Sequence, residues 1–266
     1  MSKITHDLVG FEMDGDVAIL TLSNPPVNAF SRDLVSAFQD AVGKVEGSGA
    51  RALLTRANGS NFSAGADPSM FEGLGYVDGS LLVAELIGTI QRFESLPIPT
   101  ICAVRGMTVA AGLELMLAHD IVYAATGSMF GQVEARLGTA TLAGGAQRVA
   151  LRSGIARAKE MVFTGGLFDA ETCLSWGLIN RVIKPEELDD KSLRFAHRLS
   201  KGPTVALAAD KAAFGAFARA QLAPADAAMI GAAGTTFVSD DMRMGLKAFA
   251  EGGAAALMQK LDFAGS

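Results

Sequence analysis

Residues 99–125 read PTICAVRGMTVAAGLELMLAHDIVYAA, and this stretch decides the fold class of the chain. Its two ends, 99–104 and 120–125, are short apolar runs, which predict strands buried in a sheet. Between them, the small residues of 105–111 predict a loop, and 112–119 has the apolar spacing of a short helix. A strand, a loop, a helix and a second strand form the repeating unit of an α/β fold.

The same unit occurs on both sides of this stretch. Residues 51–56 predict a strand that leads through a small-residue loop to a helix start at Asp67-Pro68, because Asp caps helices and Pro suits their first position. The strand 120–125 leads through a longer loop to a helix near Gly144. Each loop ends in an Ala-Gly pair, at 64–65, 111–112 and 143–144, which indicates stacked turns of the ββα type.

The two ends of the chain differ in character. Residues 8–13 and 17–22 alternate around Asp14-Gly15-Asp16 and predict a hairpin, and Ser31 predicts the cap of a helix that runs to about Val45. After Pro185 the strand pattern stops, and the segments that predict helices are 186–200, 203–220, 223–237 and 239–251. We therefore expect an α/β core over residues 1–200 and a helical oligomerisation region over 201–266.

The helical region carries more apolar side chains than a thin layer of helices needs. They are Phe214, Phe217, Met229, Phe237, Met242 and Met244. Two interpretations stay open: these side chains pack on the core of their own chain, or they form an interface between subunits.

Composition argues against several classes of protein. Hydrophobic residues make up 50% of the 266 residues and charged residues 19%, which is enough for a packed core. A net charge of −5 without a basic run argues against nucleic acid or an anionic membrane surface as a partner. Cys102 and Cys173 are too few for a disulfide framework, and three histidines without paired spacing predict no metal site. Without a secretory signal pattern or an apolar run long enough to span a bilayer, the chain is predicted to be cytoplasmic.

The segment FSAGADP, residues 62–68, is a candidate binding loop. Its small residues allow a ligand to approach the backbone closely, and the N–H of Ala66 would point from a helix start toward a ligand oxygen. The same segment also suits an ordinary tight turn between a strand and a helix.

Two carboxylates are candidate acid–base groups. Glu114 lies among apolar residues, so it either faces solvent at the rim of its helix or faces a pocket, where burial would raise its pKa. Glu134 follows 20 residues later, either as a second acid–base group or as a surface partner of Arg136 or Arg148. Two carboxylates near helix starts suit enolate chemistry, because the helix ends hold an oxyanion while the carboxylates move protons.

Taken in order, these segments resemble the crotonase superfamily, the enoyl-CoA hydratase/isomerase family, and they are closest in motif to enoyl-CoA hydratases. The resemblance covers nearly the whole chain. It rests on VAILTL at 17–22, NPPVNAF at 24–30, FSAGAD at 62–67, AAGLEL at 110–115, FGQVE at 130–134, GGAQR at 144–148, FTG at 163–165 and WGLI at 176–179.

The resemblance implies a spiral of ββα turns with a C-terminal helical trimerisation region, assembled as a homotrimer or homohexamer. It implies an acyl-CoA thioester as substrate and no cofactor, since coenzyme A is part of the substrate. The thioester oxygen would receive the N–H groups of Ala66 and Ala111, and Glu114 and Glu134 occupy both positions at which hydratases carry catalytic glutamates. The positions that would line the coenzyme A path or the water site are Pro26, Val27, Ala29, Ala64, Asp67, Pro68 and Leu142.

The paired glutamates favour reversible addition of water to the 2,3 double bond of a trans-2-enoyl-CoA. The chain departs from the family pattern at three places: Ala111 replaces a usual Gly, Leu142 follows Thr141 where many hydratases read Pro-Gly, and Val133 replaces a common Pro. The alternatives are an isomerase or another crotonase-type acyl-CoA enzyme such as a hydrolase, and a non-catalytic acyl-CoA-binding homologue. The sequence contains no GxSxG, no GxxxxGK[ST] and no GxGxxG after a strand.

Overall fold

The computed structural model of the chain describes residues 8–257 and Leu261. Its strands are β1 (Val9–Asp14), β2 (Val17–Leu22), β3 (Ala52–Ala57), β4 (Thr100–Val104), β5 (Met107–Val109), β6 (Ile121–Ala125), β7 (Met129–Gly131), β8 (Phe168–Asp169) and β9 (Arg181–Ile183). Its α-helices are α1 (Arg32–Gly47), α2 (Tyr76–Glu94), α3 (Ala111–Leu117), α4 (Gly145–Ser153), α5 (Ile155–Thr164), α6 (Ala170–Ser175), α7 (Leu188–Ser200), α8 (Thr204–Thr236) and α9 (Asp240–Leu257). Short 3-10 helices lie at Pro68–Phe71, Glu134–Leu137 and Pro185–Glu187.

The main sheet has the strand order β1-β2-β3-β4-β6-β9. β1 and β2 form the predicted antiparallel hairpin, and the other neighbours are parallel, with helices between them. This arrangement confirms the α/β class. Because the carboxyl ends of parallel strands meet at one edge of a sheet, the loops that follow β3, β4 and β6 leave from the same edge. These are the loops that the sequence marked with Ala-Gly pairs.

Both faces of the main sheet are covered, which explains why its parallel strands are apolar throughout. On one face, Leu53 and Cys102 belong to the large core that α1, α2 and α3 complete. On the other face, Leu54 and Ile101 pack with Leu188 and other residues of α7. The predicted cap of α1 is confirmed, since Ser31 Oγ accepts a hydrogen bond from the backbone N of Leu34 at 3.2 Å.

A smaller sheet, with the order β5-β7-β8, lies within segments for which the sequence predicted no strand. The segment 105–111 was expected to be a loop, but it contains β5, and β7, β8 and β9 were not expected either. Strands of two or three residues are too short to show a periodic pattern, so only their neighbours in space define them. β5 also pairs with the loop after β3, through a bridge between Ser63 and Thr108.

The helical region differs from the expectation at one place. Segments 203–220 and 223–237 were predicted as two helices, because a proline inside a helix removes a hydrogen bond and costs about 3 kcal/mol. In the structure they form the single helix α8, with Pro224 inside it. The second half of α8 packs on α2 so closely that a Cβ atom on Gly79 would lie 2.3 Å from the ring of Phe237. This packing offsets the cost of the proline.

The apolar side chains of the helical region divide between the two interpretations. Phe237 and Met242 are buried in the core of their own chain, and Met229 packs against it. Phe214 and Phe217 on α8 are 74% and 68% exposed, and Met244 is also exposed. Across the described residues, no helix has both the length and the apolarity needed to cross a membrane. The domain division near residue 200 stays a prediction.

Candidate active site

The loops after β3 and β4 approach each other closely at the start of α3. Gly65 has a φ of 96°, and a Cβ atom there would lie 2.7 Å from the Cβ of Ala110 and 3.7 Å from the backbone N of Ala111. A Cβ atom on Gly112 would lie 2.6 Å from the Cβ of Ser63. Glycine at both positions therefore lets two backbones pack at a distance that side chains would prevent.

This close approach brings Ala66 and Ala111 to the wall of the same cavity. Neither N–H donates to a backbone carbonyl of the described residues. Ala111 is the first residue of α3, and Ala110 before it has φ 48° and ψ −125°. A non-glycine residue held in such a backbone conformation costs about 1–3 kcal/mol. The sequence pointed to a backbone restriction at Ala111, whereas the structure places the strain one residue earlier, in the turn that aims the N–H of Ala111.

The cavity beside these two N–H groups has a volume of about 40 Å³. In addition to Ala66 and Ala111, its walls consist of Phe30, Val35, Phe38, Met70, Leu86, Thr89, Ile90, Leu115 and Ala143. A single water-sized sphere needs about 10–15 Å³ of such a volume, so the cavity has room for a small group of more than one non-hydrogen atom. With these mostly apolar walls, it suits the end of a short alkyl chain.

Glu114 is buried in α3, and the turn before α4 holds its carboxylate. Oε1 accepts hydrogen bonds from the backbone N of Ala143 at 2.9 Å and of Gly145 at 2.8 Å. Burial raises the pKa of Glu114 from 4.5 to about 7, and the two N–H groups and the guanidinium of Arg148 oppose this rise. A carboxyl group with a pKa near neutrality can both donate and accept a proton at physiological pH.

Glu134 lies at the start of the 3-10 helix Glu134–Leu137, and its carboxylate interacts electrostatically with that of Glu114. The side chain of Gln132, with its amide nitrogen toward Glu134, donates to Oε1 at 2.7 Å and to Oε2 at 3.0 Å. Burial, and then the charge of Glu114, raise the pKa of Glu134 well above its usual value. Like charges this close disfavour ionisation of both groups, so the pair retains one proton over a range of pH.

Gly145 lies between the two glutamates. A Cβ atom there would lie 2.1 Å from the end of the Gln132 amide and 3.0 Å from Cγ of Glu114, so a side chain at 145 would collide with both residues. Of the two arginines considered as surface partners of Glu134, Arg148 is buried and pairs with Glu94, at 2.7 Å from Nε to Oε1. The structure therefore brings the buried carboxylates of Glu114 and Glu134 close enough for the charge of one to act on the other.

The residues predicted to line the coenzyme A path lie along the Ala66 loop. The backbone N of Ala64 donates to the carbonyl O of Val27 at 2.9 Å, and Asn24 Nδ2 donates to the carbonyl O of Ala29 at 2.7 Å. Pro26 is exposed at the head of this segment, after a cis peptide bond. The structure thus places Pro26, Val27, Ala29 and Ala64 on one continuous strip that ends at the cavity.

The helix start predicted at Asp67-Pro68 is a short 3-10 helix. Asp67 caps it, because its Oδ1 accepts from the backbone N of Ser69 at 2.9 Å, and Pro68 is its first residue. The side chain of Leu142 is buried in the main core, while its backbone N–H contributes to the hydrogen bonding of Glu114. Its neighbour Ala143 lines the cavity.

The described residues contain no group of three or more His, Cys, Asp or Glu side chains placed to hold a metal ion. His119 is buried, and its Nδ1 and Nε2 lie 2.9 Å from the carbonyl O of Leu115 and 2.8 Å from Oγ1 of Thr55. Burial lowers the pKa of His119 to about 3, so the ring is neutral at physiological pH. This histidine is a core residue rather than an acid–base group.

Sequence reasoning missed two parts of the site. The first is the wall that α1 and α2 build around the cavity, which includes Val35, Phe38, Leu86 and Ile90. Nothing in the sequence indicates that these helices meet at the site, because their apolar faces look like any core face. The second is Gln132, which lies in the segment FGQVE at 130–134 but whose hydrogen bonds to Glu134 the sequence does not predict.

Comparison with known proteins gives a consistent result. The family model for enoyl-CoA hydratase/isomerase matches residues 12–260. The short-chain-enoyl-CoA hydratase of Clostridium acetobutylicum is 30% identical over 243 residues, which are 90% of this chain and 93% of that protein. The crotonyl-CoA hydratase of Syntrophomonas wolfei is 28% identical over 260 residues, covering 97% and 100% of the two chains. An enoyl-CoA hydratase/isomerase from Xanthobacter autotrophicus Py2 superposes with a TM-score of 0.88 at 25% identity, over 96% of this chain and 97% of that one.

Proposed function

The chain belongs to the enoyl-CoA hydratase/isomerase family, and from this premise we propose that it adds water reversibly across the 2,3 double bond of a short trans-2-enoyl-CoA thioester. The observation that carries this proposal is the pair of buried carboxylates, Glu114 and Glu134, which lie close enough for the charge of one to raise the pKa of the other. Glu114 is bound to the backbone N of Ala143, and Ala143 lines the cavity together with Ala66 and Ala111. Relatives that are named as short-chain enoyl-CoA and crotonyl-CoA hydratases support the same reaction.

The two N–H groups would stabilise the charge that develops during the reaction. Conjugation with the thioester makes C3 of the substrate electrophilic, and attack by water moves negative charge onto the thioester oxygen. Ala66 and Ala111 would each donate a hydrogen bond to that oxygen. In enzymes with comparable sites, one such donor contributes about 10²–10³ in kcat.

The two glutamates would move the protons. Glu134 takes a proton from the attacking water, so that the hydroxyl adds to C3, and Glu114 orients the water and delivers a proton to C2. Two N–H groups hold Oε1 of Glu114 and fix the orientation of its carboxylate, and the repulsion between the two carboxylates keeps one proton on the pair for this transfer. No cofactor is needed, because coenzyme A is part of the substrate.

The small cavity favours a short acyl chain. Its mostly apolar walls between α1, α2 and α3 suit the alkyl end of an acyl chain. Relatives that are named as short-chain-enoyl-CoA and crotonyl-CoA hydratases favour a short chain.

The test is the loss of conjugated thioester absorbance when purified protein is mixed with crotonyl-CoA. We expect turnover of crotonyl-CoA and little turnover of trans-2-dodecenoyl-CoA under the same conditions. Binding of acyl-CoA by calorimetry without any turnover would instead favour the non-catalytic homologue. Conversion of a 3-enoyl-CoA to the 2-enoyl isomer, without hydration, would favour an isomerase.

The oligomeric state belongs to the same proposal. Val205, Phe214 and Phe217 on α8 are 86%, 74% and 68% exposed, which is unusual for large apolar side chains on one helix. We infer that α8 and α9 belong to the oligomerisation region predicted over 201–266, whose residues 258–260 and 262–266 lie outside the described part of the chain, and that these side chains are covered in a homotrimer or homohexamer. The cytoplasmic location stays a prediction.

A further inference from the structure

Arg148 is a buried arginine whose contacts lie directly behind Glu114. It is 2% exposed, and its guanidinium forms a two-pronged pair with Glu94, at 2.7 Å from Nε to Oε1 and 2.8 Å from Nη2 to Oε2. Its Nη1 donates to the carbonyl O of Ala143 at 3.3 Å and of Gly144 at 3.2 Å. Arg148 therefore holds the carbonyl side of the same turn whose N–H side holds Glu114.

One peptide group connects the two side chains directly. The carbonyl of Gly144 and the N–H of Gly145 belong to the same amide, which accepts from Arg148 at its oxygen and donates to Glu114 at its nitrogen. Hydrogen bonds in such a chain polarise one another, so the positive charge of Arg148 strengthens the hold on the carboxylate. Glycine at 144 is required for this arrangement, because its φ is 90° and a Cβ atom would lie 1.9 Å from Nη1 of Arg148.

Asp226 connects this chain of contacts to α8. It is 3% exposed, and its carboxylate accepts from Nε2 of Gln91 at 3.0 Å and from Nε2 of Gln147 at 2.6 Å. It also lies 3.6 Å from Nη1 of Arg148. A buried carboxylate in an alanine-rich helix is costly unless it is paired, and here its partners come from α2 and α4. The helical region is thereby joined to the turn that holds Glu114.

We propose that Arg148 and Asp226 are positioning residues for Glu114. Their ion pair fixes the turn Ala143–Gly145 and determines how much positive charge acts on the Glu114 carboxylate. The position of α8 against the core thereby affects the acid–base behaviour of Glu114 and Glu134. This inference rests on the proposed function of Glu114 and adds two residues, one of them outside the α/β core, to the machinery of the reaction.

The charges around Glu114 determine the direction in which each substitution should shift the pKa values of the two glutamates. Glu134 faces it from the 3-10 helix and Arg148 from α4, while Glu94 on α2 and Asp226 on α8 lie behind Arg148. Removal of the positive charge at 148 raises the apparent pKa values of the carboxylate pair. Removal of the negative charge at 226 leaves Arg148 less neutralised and lowers them. The two substitutions therefore shift the pair in opposite directions.

The experiment compares the pH profile of kcat/KM for crotonyl-CoA hydration in three variants. Arg148→Met is expected to shift the profile up by about one pH unit and to lower kcat about 100-fold. Asp226→Asn, which keeps the size of the side chain and one acceptor oxygen for Gln91 or Gln147, is expected to shift it down. Arg148→Lys keeps the charge but not the two-pronged geometry, so it lowers kcat without the shift in pH. Arg152→Lys is the matched control, because Arg152 is on the same helix and donates to the carbonyls of Leu117, His119 and Leu178 rather than to the turn that holds Glu114.

A second readout does not depend on turnover. The carboxyl stretching band of Glu114, assigned in infrared difference spectra with Glu114→Gln, is titrated in the wild type and in Asp226→Asn, which we expect to fold. A downward shift in Asp226→Asn with no shift in Arg152→Lys supports the proposal. Profiles and titrations that coincide in the wild type and in Asp226→Asn overturn it. An inactive wild type with a shifted band would count against the proposed function and leave the positioning role intact.

Discussion

Substitution of Gly65 by alanine tests whether the close approach of the two loops builds the oxyanion site. The new Cβ atom would lie 2.7 Å from the Cβ of Ala110 and 3.3 Å from the carbonyl O of Val109. To reach an ordinary contact of 3.4 Å, the two backbones must separate by about 0.7 Å at this point. A displacement approaching 1 Å costs about 100-fold in rate where reacting groups must be aligned, so we expect kcat/KM for crotonyl-CoA to fall by about that factor.

Gly59→Ala is the matched control for this prediction. Gly59 has a φ of 87°, close to the 96° of Gly65, but nothing lies within 4 Å of the position its Cβ would take. Both variants therefore carry the backbone cost of an alanine at positive φ, about 1–2 kcal/mol in the free energy of unfolding. Only Gly65→Ala should lose activity. The reasoning fails if Gly65→Ala hydrates crotonyl-CoA within a few-fold of the wild type, or if Gly59→Ala loses as much activity.

Three further predictions follow from the structure. Glu114→Gln and Glu134→Gln should each lower kcat by about 10²–10⁴ in the hydration assay, and the double variant should lose less than the product of the two, because both residues serve one proton-transfer step; full activity in both would remove them from the mechanism. His119 is neutral in the folded chain, with a pKa of about 3, but it protonates near pH 6.5 in the unfolded chain, so its contribution to stability is complete above pH 6.5 and is lost as the pH falls toward 3, by up to about 1.4 kcal/mol per pH unit. Denaturant titrations should therefore show that the free energy of unfolding falls more steeply with decreasing pH in the wild type than in His119→Gln, and only below pH 6.5. The same pH dependence in both proteins would contradict this. Light scattering should give at least a trimer at micromolar concentration, and a chain ending after Lys201 should aggregate, because α8 no longer covers α2; a monomeric full-length chain would refute the assembly.

The sequence predicted the elements whose signals are local. The hairpin around Gly15, the cap at Ser31 and the strands before the Ala-Gly loops all depend on turn chemistry or on runs of five or more residues, and the structure confirms them. The short strands β5, β7, β8 and β9 depend on partners that are distant in sequence. The helix through Pro224 depends on packing against α2, which the local rule for proline cannot anticipate.

The site shows the same division between local and distant signals. Glu114 was identified because a carboxylate in an apolar stretch is costly and therefore conspicuous, and Glu134 because it follows as a second carboxylate at a position that the family resemblance marks. The sequence contains no sign of the contacts made by Gln132, Arg148 and Asp226. These contacts join residues of different helices and loops, and no spacing along the chain indicates them. Asp226 is the clearest case, because it lies 112 residues from Glu114 and reaches it only through Arg148 and one peptide group.

The backbone of this site is fixed by interlocking contacts rather than by side chains that reach into it. Gly65, Gly112 and Gly145 each lie where a Cβ atom would collide with the opposing loop, so the loops have one way to fit together. That fit also explains how Ala110 is kept at φ 48°, since a strained turn persists only where its surroundings leave no alternative. Donors aimed in advance need no reorganisation when charge develops, which is the condition under which backbone N–H groups stabilise an oxyanion most strongly. The acyl wall, by contrast, consists of side chains on α1 and α2, so substitutions there can change the chain length that is accepted while the oxyanion geometry stays the same.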